Sequence, residues 1–140
     1  MIVLDTSVLV YAVGSEHRLR GAAQGLVAAV AEGHVRATTT VEVVQELVHV
    51  RARRQGRRDA VAVGREYATL LAPLLVTEPG DLEQGLGLFL RYERLGAFDA
   101  VLAAAALAAD AQLVSADRAF ADVDGLRFVP LDRAEALRDD

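Results

Sequence analysis

The chain begins with a short apolar run that ends on an acid, Ile2-Val3-Leu4 followed by Asp5. An uninterrupted aliphatic run of this length is typical of a strand buried on both faces, as strands of parallel sheets are. Asp5 would then lie at the carboxyl end of that strand, where open α/β sheets bind their ligands. Thr6 and Ser7 follow, and their hydroxyls can cap a helix that begins near Val8. An aspartate is also a preferred helix cap, so this stretch alone leaves a catalytic and a structural role for Asp5 equally open.

Further short β-prone segments alternate with helical stretches along the rest of the chain. The candidate strands are 34–39, 74–77, 112–115 and 127–131, and the candidate helices are 16–32, 41–50, 59–71, 81–95 and 98–109, with Asp81 as a cap, Gly96 as a terminator and a short last helix from Asp132. Such alternation predicts an α/β domain with a parallel sheet and helices on both faces. The length of 140 residues predicts a single domain, 1–140.

Composition excludes several kinds of chemistry. The chain has no Cys, and its 15 basic residues are all Arg, so disulfides, zinc–thiolate sites, a cysteine nucleophile and any lysine-dependent mechanism are excluded. No apolar run is long enough to cross a bilayer and no signal peptide is evident, which predicts a cytoplasmic protein without membrane contact. The net charge of −5 argues against global attraction to nucleic acid but permits a local basic patch.

Four acids lie at positions that the predicted fold can bring together. Asp5 ends the first strand, and Asp117 follows the strand that ends at Ser115. Asp99 lies in the first turn of an Ala- and Leu-rich helix, and Glu46 lies on the helix after the second strand. Each has an ordinary alternative role, as a helix cap, a turn residue or a solvated surface acid. Together, however, clustered carboxylates and hydroxyls without Cys favour a hard cation, Mg²⁺ with Mn²⁺ as a substitute.

The pattern resembles the PIN-domain ribonucleases, and more narrowly the VapC-like toxins of bacterial type II toxin–antitoxin pairs. The matching pieces, in the order of the family, are Val3-Leu4-Asp5-Thr6-Ser7-Val8-Leu9, Val44-Gln45-Glu46-Leu47, Gly96-Ala97-Phe98-Asp99-Ala100-Val101-Leu102-Ala103-Ala104 and Leu113-Val114-Ser115-Ala116-Asp117-Arg118-Ala119-Phe120. The resemblance implies a three-layer PIN-like fold with a central parallel sheet of about five strands in the order 3-2-1-4-5. It also implies metal-dependent endonucleolytic cleavage of RNA.

The resemblance assigns roles to individual residues. The four acids of the family fall on Asp5, Glu46, Asp99 and Asp117, with Asp5 and Asp99 as the chief ligands of the metal. The hydroxyl residues of the family fall on Ser7 and Ser115, and we add Thr6, which lies between Asp5 and Ser7, as a third supporting hydroxyl. The second acid has two candidates, Glu42 and Glu46, which are one helical turn apart and face nearly the same way. We prefer Glu46 because a leucine follows it, as in the family pattern.

Five arginines, which we call the arginine cluster, follow the helix that carries Glu46. They are Arg51, Arg53, Arg54, Arg57 and Arg58, arranged around a turn predicted at Gly56. The cluster suits a solvated turn, but it also suits contact with RNA phosphates or with a partner protein. The resemblance implies such a partner, a small VapB-like antitoxin that masks the acids, and also a homodimer. The surface of residues 40–58 is a candidate groove for the antitoxin, because its apolar residues Val41, Val44 and Val48 exceed what one helix face needs.

Two other classes of function compete with this interpretation. An aspartate after the first strand could be the nucleophile of a phosphoaspartyl phosphatase or the acceptor of a receiver-like module. However, Ser7 occupies the position where such phosphatases usually carry a second aspartate, and the lysine of receivers is absent. The other class is a catalytically inactive interaction domain, which metal-dependent loss of RNA would distinguish from a nuclease.

Overall fold

The computed structural model describes residues 1–137 and is built on a parallel sheet. Within that range the strands are Ile2–Leu4 (β1), Ala37–Thr38 (β2), Gln112–Ser115 (β3) and Phe128–Pro130 (β4). Their order across the sheet is β2-β1-β3-β4. The central strands β1 and β3 are almost wholly buried, which confirms that the opening aliphatic run is an inner strand of a parallel sheet.

The predicted strand at residues 74–77 is replaced by a single bridge. Leu75 pairs in parallel with Thr40, and its amide donates to the Thr39 carbonyl at 2.9 Å. The hydroxyl of Thr38 donates to the Leu71 and Pro73 carbonyls at 3.0 and 2.9 Å. A side chain therefore holds this segment against β2, and the described sheet has four strands where about five were expected. The four strands keep the expected order, and the bridge lies where the missing edge strand would pair.

Six α-helices surround the sheet in the described range. They are Thr6–Val13 (α1), Arg20–Ala31 (α2), Val41–Gln55 (α3), Arg57–Leu70 (α4), Pro79–Arg91 (α5) and Ala97–Ala108 (α6), with short 3₁₀ helices at Arg118–Asp122 and Leu131–Leu137. The capping of α3 by Thr40, whose hydroxyl accepts from the Val43 amide, is confirmed. Residues 138–140, which the last predicted helix included, lie outside the described residues.

Several predicted helix boundaries were wrong, among them the end of the helix predicted at 41–50, which extends to Gln55. The helix predicted to begin at residue 16 begins at Arg20. Before it, the His17 ring accepts a hydrogen bond from the Leu19 amide and stacks on the Tyr11 ring. Asp81 is the third residue of α5, and it accepts from the amide of Glu78, the residue that precedes the helix. Gly96 precedes α6 and does not end α5.

The core brings the helices close to the strands through small side chains. Helix α6 buries Ala100, Leu102 and the four alanines from Ala103 to Ala106, as its nearly all-apolar sequence predicted. This packing places the start of α6 beside the carboxyl ends of β1 and β3, since Asp99 interacts electrostatically with acids that follow both strands. No helix within residues 1–137 is long and apolar enough to cross a membrane.

Candidate active site

Asp5 is buried directly after β1 and accepts hydrogen bonds on both carboxylate oxygens. Its Oδ1 accepts from the Thr6 amide at 2.8 Å, so it caps α1. Its Oδ2 accepts from the hydroxyls of Ser7 at 3.0 Å and Ser115 at 2.6 Å. Burial raises the pKa of Asp5 above its ordinary value, and these hydrogen bonds oppose the rise. Asp5 thus fills the structural role of a helix cap while its carboxylate is oriented at the edge of the sheet.

Two serine hydroxyls connect the ends of β1 and β3. The Ser7 hydroxyl accepts from the Ala116 amide at 3.1 Å, and the Ser115 hydroxyl accepts from the Asp117 amide at 2.9 Å. Because each hydroxyl is an acceptor for a backbone N–H, its own hydrogen is directed to Asp5. The supporting hydroxyls expected from the sequence therefore lie beside Asp5 and fix the loop that carries Asp117.

Glu42 and Glu46, the two candidates for the second acid, have different hydrogen-bond partners in the structure. Glu46 Oε2 accepts from the Thr6 hydroxyl at 2.8 Å, which joins α3 to the residue after Asp5. Glu42 Oε2 instead accepts from the Thr77 hydroxyl at 3.1 Å. Thr6 is thus a partner of Glu46 as well as the first residue of α1. Glu46 belongs to the acid cluster, a name we give to Asp5, Glu46, Asp99 and Asp117, and Glu42 lies one turn away.

Asp99 is a second carboxyl of the cluster whose pKa the fold raises. Burial, followed by the charges of Asp5, Asp117 and Glu46, raises the pKa of Asp99 to about 7. Within residues 1–137 the Asp99 carboxylate accepts no hydrogen bond that would lower its pKa again. Asp117 is exposed, and its Oδ1 accepts from the Ala119 amide at 2.9 Å. The structure therefore brings together all four acids expected from the sequence, at the carboxyl edge of the sheet.

The arginine cluster divides into one internal and four exposed side chains. Arg51 donates to Asp59 at 2.6 Å and to the Val13 carbonyl at 2.9 Å, and only 19% of its side chain is exposed. It therefore connects α1, α3 and α4, which leaves little of it for contact with RNA. Arg53, Arg54, Arg57 and Arg58 are exposed around Gly56.

The candidate groove on α3 is mostly filled by the next helix. Val44 and Val48 are half-buried, and α4 approaches so closely that a Cβ on Gly64 would lie 2.5 Å from a methyl carbon of Val48. Val41 alone of the three valines remains exposed, at 55%. The apolar surplus on α3 that suggested a docking groove is therefore used to pack α4.

Three further arginines lie near Asp117 or its neighbour Ala116, and sequence reasoning did not identify them. Arg18 and Arg118 line one small depression with Ala116, and Arg94 interacts electrostatically with Asp117. Arg118 follows Asp117 in the sequence, which was a usable signal. Arg18 and Arg94 come from distant loops, and nothing in their local sequence marks them.

A threonine beneath the cluster was also missed. The side chain of Thr39 is buried and donates to the Leu4 carbonyl at 2.6 Å. It therefore ties the end of β1, and with it Asp5, to the chain beyond β2. The run of three threonines from Thr38 to Thr40 was the available signal, since each of these hydroxyls has a separate partner.

Comparison with known proteins agrees with this architecture. The PIN domain family matches residues 2–126. The chain is 50% identical to Ribonuclease VapC7 of Mycobacterium tuberculosis over 139 residues, which cover 96% of this chain and 94% of that protein. It is 32% identical to Ribonuclease VapC13 of the same species over 129 residues, which cover 91% of this chain and 98% of that protein.

Two solved structures share the fold. One is M. tuberculosis VapC20, described as a Sarcin-Ricin loop cleaving toxin, with a TM-score of 0.73, 21% identity and coverage of 91% of this chain and 98% of that one. The other is VapBC2 from Rickettsia felis bound to a DNA fragment from its promoter, with a TM-score of 0.73, 18% identity and coverage of 93% and 98%. The chain belongs to the PIN-domain family, within the group of the VapC ribonuclease toxins.

Proposed function

We propose that this chain is a Mg²⁺-dependent endoribonuclease that acts as the toxin of a toxin–antitoxin pair, with Mn²⁺ as a substitute metal. One observation carries the proposal: four carboxylates from four separate segments meet at the carboxyl edge of the sheet in a chain of the VapC group. A phosphoaspartyl enzyme is disfavoured because hydrogen bonds engage both oxygens of the buried Asp5. An inactive interaction domain remains an outcome of the test.

The donor set suits a hard cation. Asp5 and Asp99 would hold Mg²⁺, because Asp5 is fixed in place and the Asp99 carboxylate has no hydrogen-bond partner within residues 1–137. Within the same residues, no three His, Asp or Glu side chains already stand where they could hold one ion. This arrangement suits Mg²⁺, which usually keeps several waters and takes only one or two carboxylates from the protein. When bound, the ion supplies an acidified water and stabilises charge on the phosphate.

The remaining residues can position groups and move a proton. Glu46 Oε2 is occupied by the Thr6 hydroxyl, and we assign the free Oε1 as the acceptor of the proton from the attacking water. The water oxygen bonds to phosphorus as the bond to the leaving ribose oxygen breaks, and that oxygen takes a proton from solvent on the exposed Asp117 side. Ser7 and Ser115 keep the Asp5 carboxylate in a single orientation throughout.

Positive charge beside the acids supports RNA as the substrate. Arg94 and Arg118 are ion-paired with Asp122 and Asp132, yet about 60% of each side chain stays exposed. Arg18 is exposed, and within residues 1–137 it forms no ion pair. We propose that these three arginines hold phosphates next to the scissile bond, with the exposed part of the arginine cluster as a more distant RNA or partner contact.

The experiment that tests the metal requirement is cleavage of a defined RNA by purified protein at graded Mg²⁺ concentrations and pH values. We expect no cleavage in EDTA and recovery with Mg²⁺ or Mn²⁺. At limiting Mg²⁺ the rate should fall as the pH falls, because protons compete with the metal for the carboxylates, and added Mg²⁺ should partly restore it. Cleavage that continues in EDTA would contradict the metal proposal, and the absence of cleavage under all these conditions would favour an inactive interaction domain.

We also propose a VapB-like antitoxin that lays an Arg or Lys near Asp5, Asp99 and Asp117. A guanidinium offers both the charge and the bidentate geometry that a cluster of carboxylates would bind. Co-expression from the native locus, followed by purification on this chain, tests the partner. We expect a small neighbouring protein to co-purify and to relieve the growth arrest that this chain causes. If no neighbouring protein does either, the antitoxin proposal fails while the nuclease proposal stands.

A homodimer is proposed on the basis of an exposed apolar face of α5. Leu82, Leu86, Phe89 and Leu90 recur at helical spacing and are 43–87% exposed. Contiguous exposed apolar patches mark interaction surfaces in soluble proteins. Light scattering of purified wild-type and Leu86→Glu protein tests this, with the mass of a dimer expected for the first and of a monomer for the second. A monomeric wild type would contradict it.

A further inference from the structure

An apolar cavity of about 160 Å³ adjoins the acid cluster between α3 and α6. It is lined by Thr40, Glu42, Thr77, Phe98, Val101 and Leu102. Two of these residues connect it to the cluster, since Phe98 directly precedes Asp99, and Glu42 lies one turn before Glu46, about 5–6 Å along the helix face. The cavity is smaller than the roughly 300–1,000 Å³ of pockets that take drug-sized molecules. Its size suits a single flat ring system.

We propose that this cavity binds one nucleobase of the RNA substrate, beside the scissile phosphate, and prefers a base that presents an amino group. The inference rests on the proposed ribonuclease function and adds the part of the site that selects sequence.

The walls of the cavity offer a face for stacking. The Phe98 side chain is 40% exposed although it lies among apolar neighbours, so part of its ring is available to a ligand. Unpaired bases of single-stranded RNA characteristically stack on such aromatic rings. The α6 wall that carries Phe98 and Val101 is firm, because α5 packs behind it so closely that a Cβ on Gly85 would lie 2.8 Å from the Val101 Cα.

Glu42 supplies the selectivity. Its Oε2 accepts from Thr77, and its Oε1 has no donor within residues 1–137. A carboxylate only accepts hydrogen bonds, so it binds the N–H groups of a base edge and repels carbonyl oxygens. Guanine presents an imino and an amino N–H side by side, and cytosine and adenine present one amino group. Uracil presents one N–H between two carbonyls, so we expect it to be the poorest occupant.

The test compares two short RNAs, an oligouridylate and the same oligouridylate with a single central guanosine. Their affinities are measured by fluorescence anisotropy in Mg²⁺, with Asp5→Asn protein to prevent cleavage. The readout is the ratio of the two affinities, because charge changes that affect both RNAs equally cancel in the ratio. We expect the guanosine RNA to bind at least about fivefold more tightly, as one bidentate base contact provides.

Matched variants locate the effect. In Phe98→Leu and Glu42→Gln protein the ratio should fall towards one, because a leucine side chain lacks the stacking face and a glutamine amide offers a donor in place of one acceptor oxygen. Val61→Leu is the control, since Val61 is similarly exposed, at 42%, but lies on α4 and does not line the cavity. It should keep the ratio of the parent. Circular dichroism confirms that each variant is folded, and both leucine substitutions keep the side chain apolar.

The outcomes separate this inference from the nuclease proposal. A ratio near one in the parent, or one that Phe98→Leu and Glu42→Gln leave unchanged, overturns the nucleobase site. If Phe98→Leu instead abolishes co-purification of the antitoxin and leaves the ratio unchanged, the cavity is a protein-binding site and the inference is wrong. If the ratio behaves as expected while the wild type cleaves no RNA in Mg²⁺, the base site stands and the nuclease proposal fails.

Discussion

The acid cluster and the arginine cluster are both concentrations of like charge, but they are constructed in opposite ways. The four acids come from segments far apart in the sequence, and two of them, Asp5 and Glu46, are fixed by serine and threonine hydroxyls. The arginines are neighbours in the sequence, and all but Arg51 remain exposed. Charge brought together by the fold and held by hydrogen bonds carries a cost that a bound cation can offset. Charge that is only adjacent in sequence stays hydrated and carries no such cost.

Loss of one hydroxyl that supports the acid cluster should have a large effect on RNA cleavage, and no exposed arginine of the arginine cluster should have an effect of that size. Ser115→Ala removes one of the two hydroxyl donors to Asp5 and leaves the Asp117 amide without its acceptor. We expect RNA cleavage at limiting Mg²⁺ to fall about 10- to 100-fold, the usual effect of removing a partner that orients a metal ligand. Single-turnover kinetics measures this, with Ser15→Ala, an exposed serine, as the control. An unchanged rate would show that Asp5 needs no support from β3.

The pH dependence of stability should come from the acid cluster and not from the arginines. The pKa of Asp99 is raised to about 7, so the folded protein holds this proton more tightly than the unfolded chain. Its contribution to stability is therefore present below about pH 4 and is lost as the pH rises through about 7. We expect the Tm of the metal-free protein to fall over that interval, and Mg²⁺ to raise it again at high pH.

Substitution of Asp99 tests whether this carboxyl causes the pH dependence of the Tm. Asp99→Asn should raise the Tm of the metal-free protein at high pH, flatten its pH dependence and weaken the effect of Mg²⁺. Glu135→Gln, at an exposed acid away from the cluster, should change none of these. If the Tm of Asp99→Asn protein changes with pH as much as that of the wild type, another titratable group causes the pH dependence.

The single internal member of the arginine cluster should differ from its neighbours in stability. Arg51→Ala removes the donor to the Val13 carbonyl and the pairing with Asp59. We expect thermal denaturation to show a Tm lowered by about 2–6 °C, the range for removing one partly buried hydrogen bond in a chain of this size. Arg53→Ala should leave the Tm unchanged. If both substitutions lower the Tm equally, Arg51 has no structural role that its exposed neighbours lack.

The smallest effect concerns salt dependence of RNA binding. If the exposed arginines hold phosphates, Arg53→Ala/Arg54→Ala should flatten the slope of log affinity against log salt by about one unit or less for each phosphate that is no longer bound. Filter binding with cleavage-deficient protein measures it, and Arg18→Ala/Arg118→Ala should flatten it in the same way. An unchanged slope in the first double variant would leave the cluster as a hydrated turn, with phosphate binding confined to the arginines beside Asp117.

The position of Asp5 was predictable because it depends on one short run of residues. The aliphatic stretch Ile2–Leu4 is typical of an inner strand, and an acid directly after such a strand lies at the carboxyl edge of the sheet. The Ala-rich helix that carries Asp99 was predictable for a similar reason, since it is apolar on nearly every side. The order of the four strands followed from the resemblance to the PIN-domain family.

Other features depend on contacts between distant residues and could not be predicted in this way. Glu42 and Glu46 differ little in helical direction, and only the positions of Thr77 and Thr6 separate them. The predicted edge strand at 74–77 is reduced to the Thr40–Leu75 bridge, next to two carbonyls that accept hydrogen bonds from the Thr38 hydroxyl. The valines of α3 gave no sign that α4 would cover them, because that depends on the close approach at Gly64.

The most direct measurement is the rate at which purified wild-type and Asp5→Asn proteins cleave the same RNA in Mg²⁺, with thermal denaturation of both. Asp5→Asn removes one charge from the acid cluster while keeping the shape of the side chain that caps α1. We predict that the wild type cuts the RNA, and that Asp5→Asn protein is folded, is at least as stable as the wild type in the absence of metal, and cuts no RNA. Cleavage by folded Asp5→Asn protein at the wild-type rate would contradict the assignment of the acid cluster as the active site.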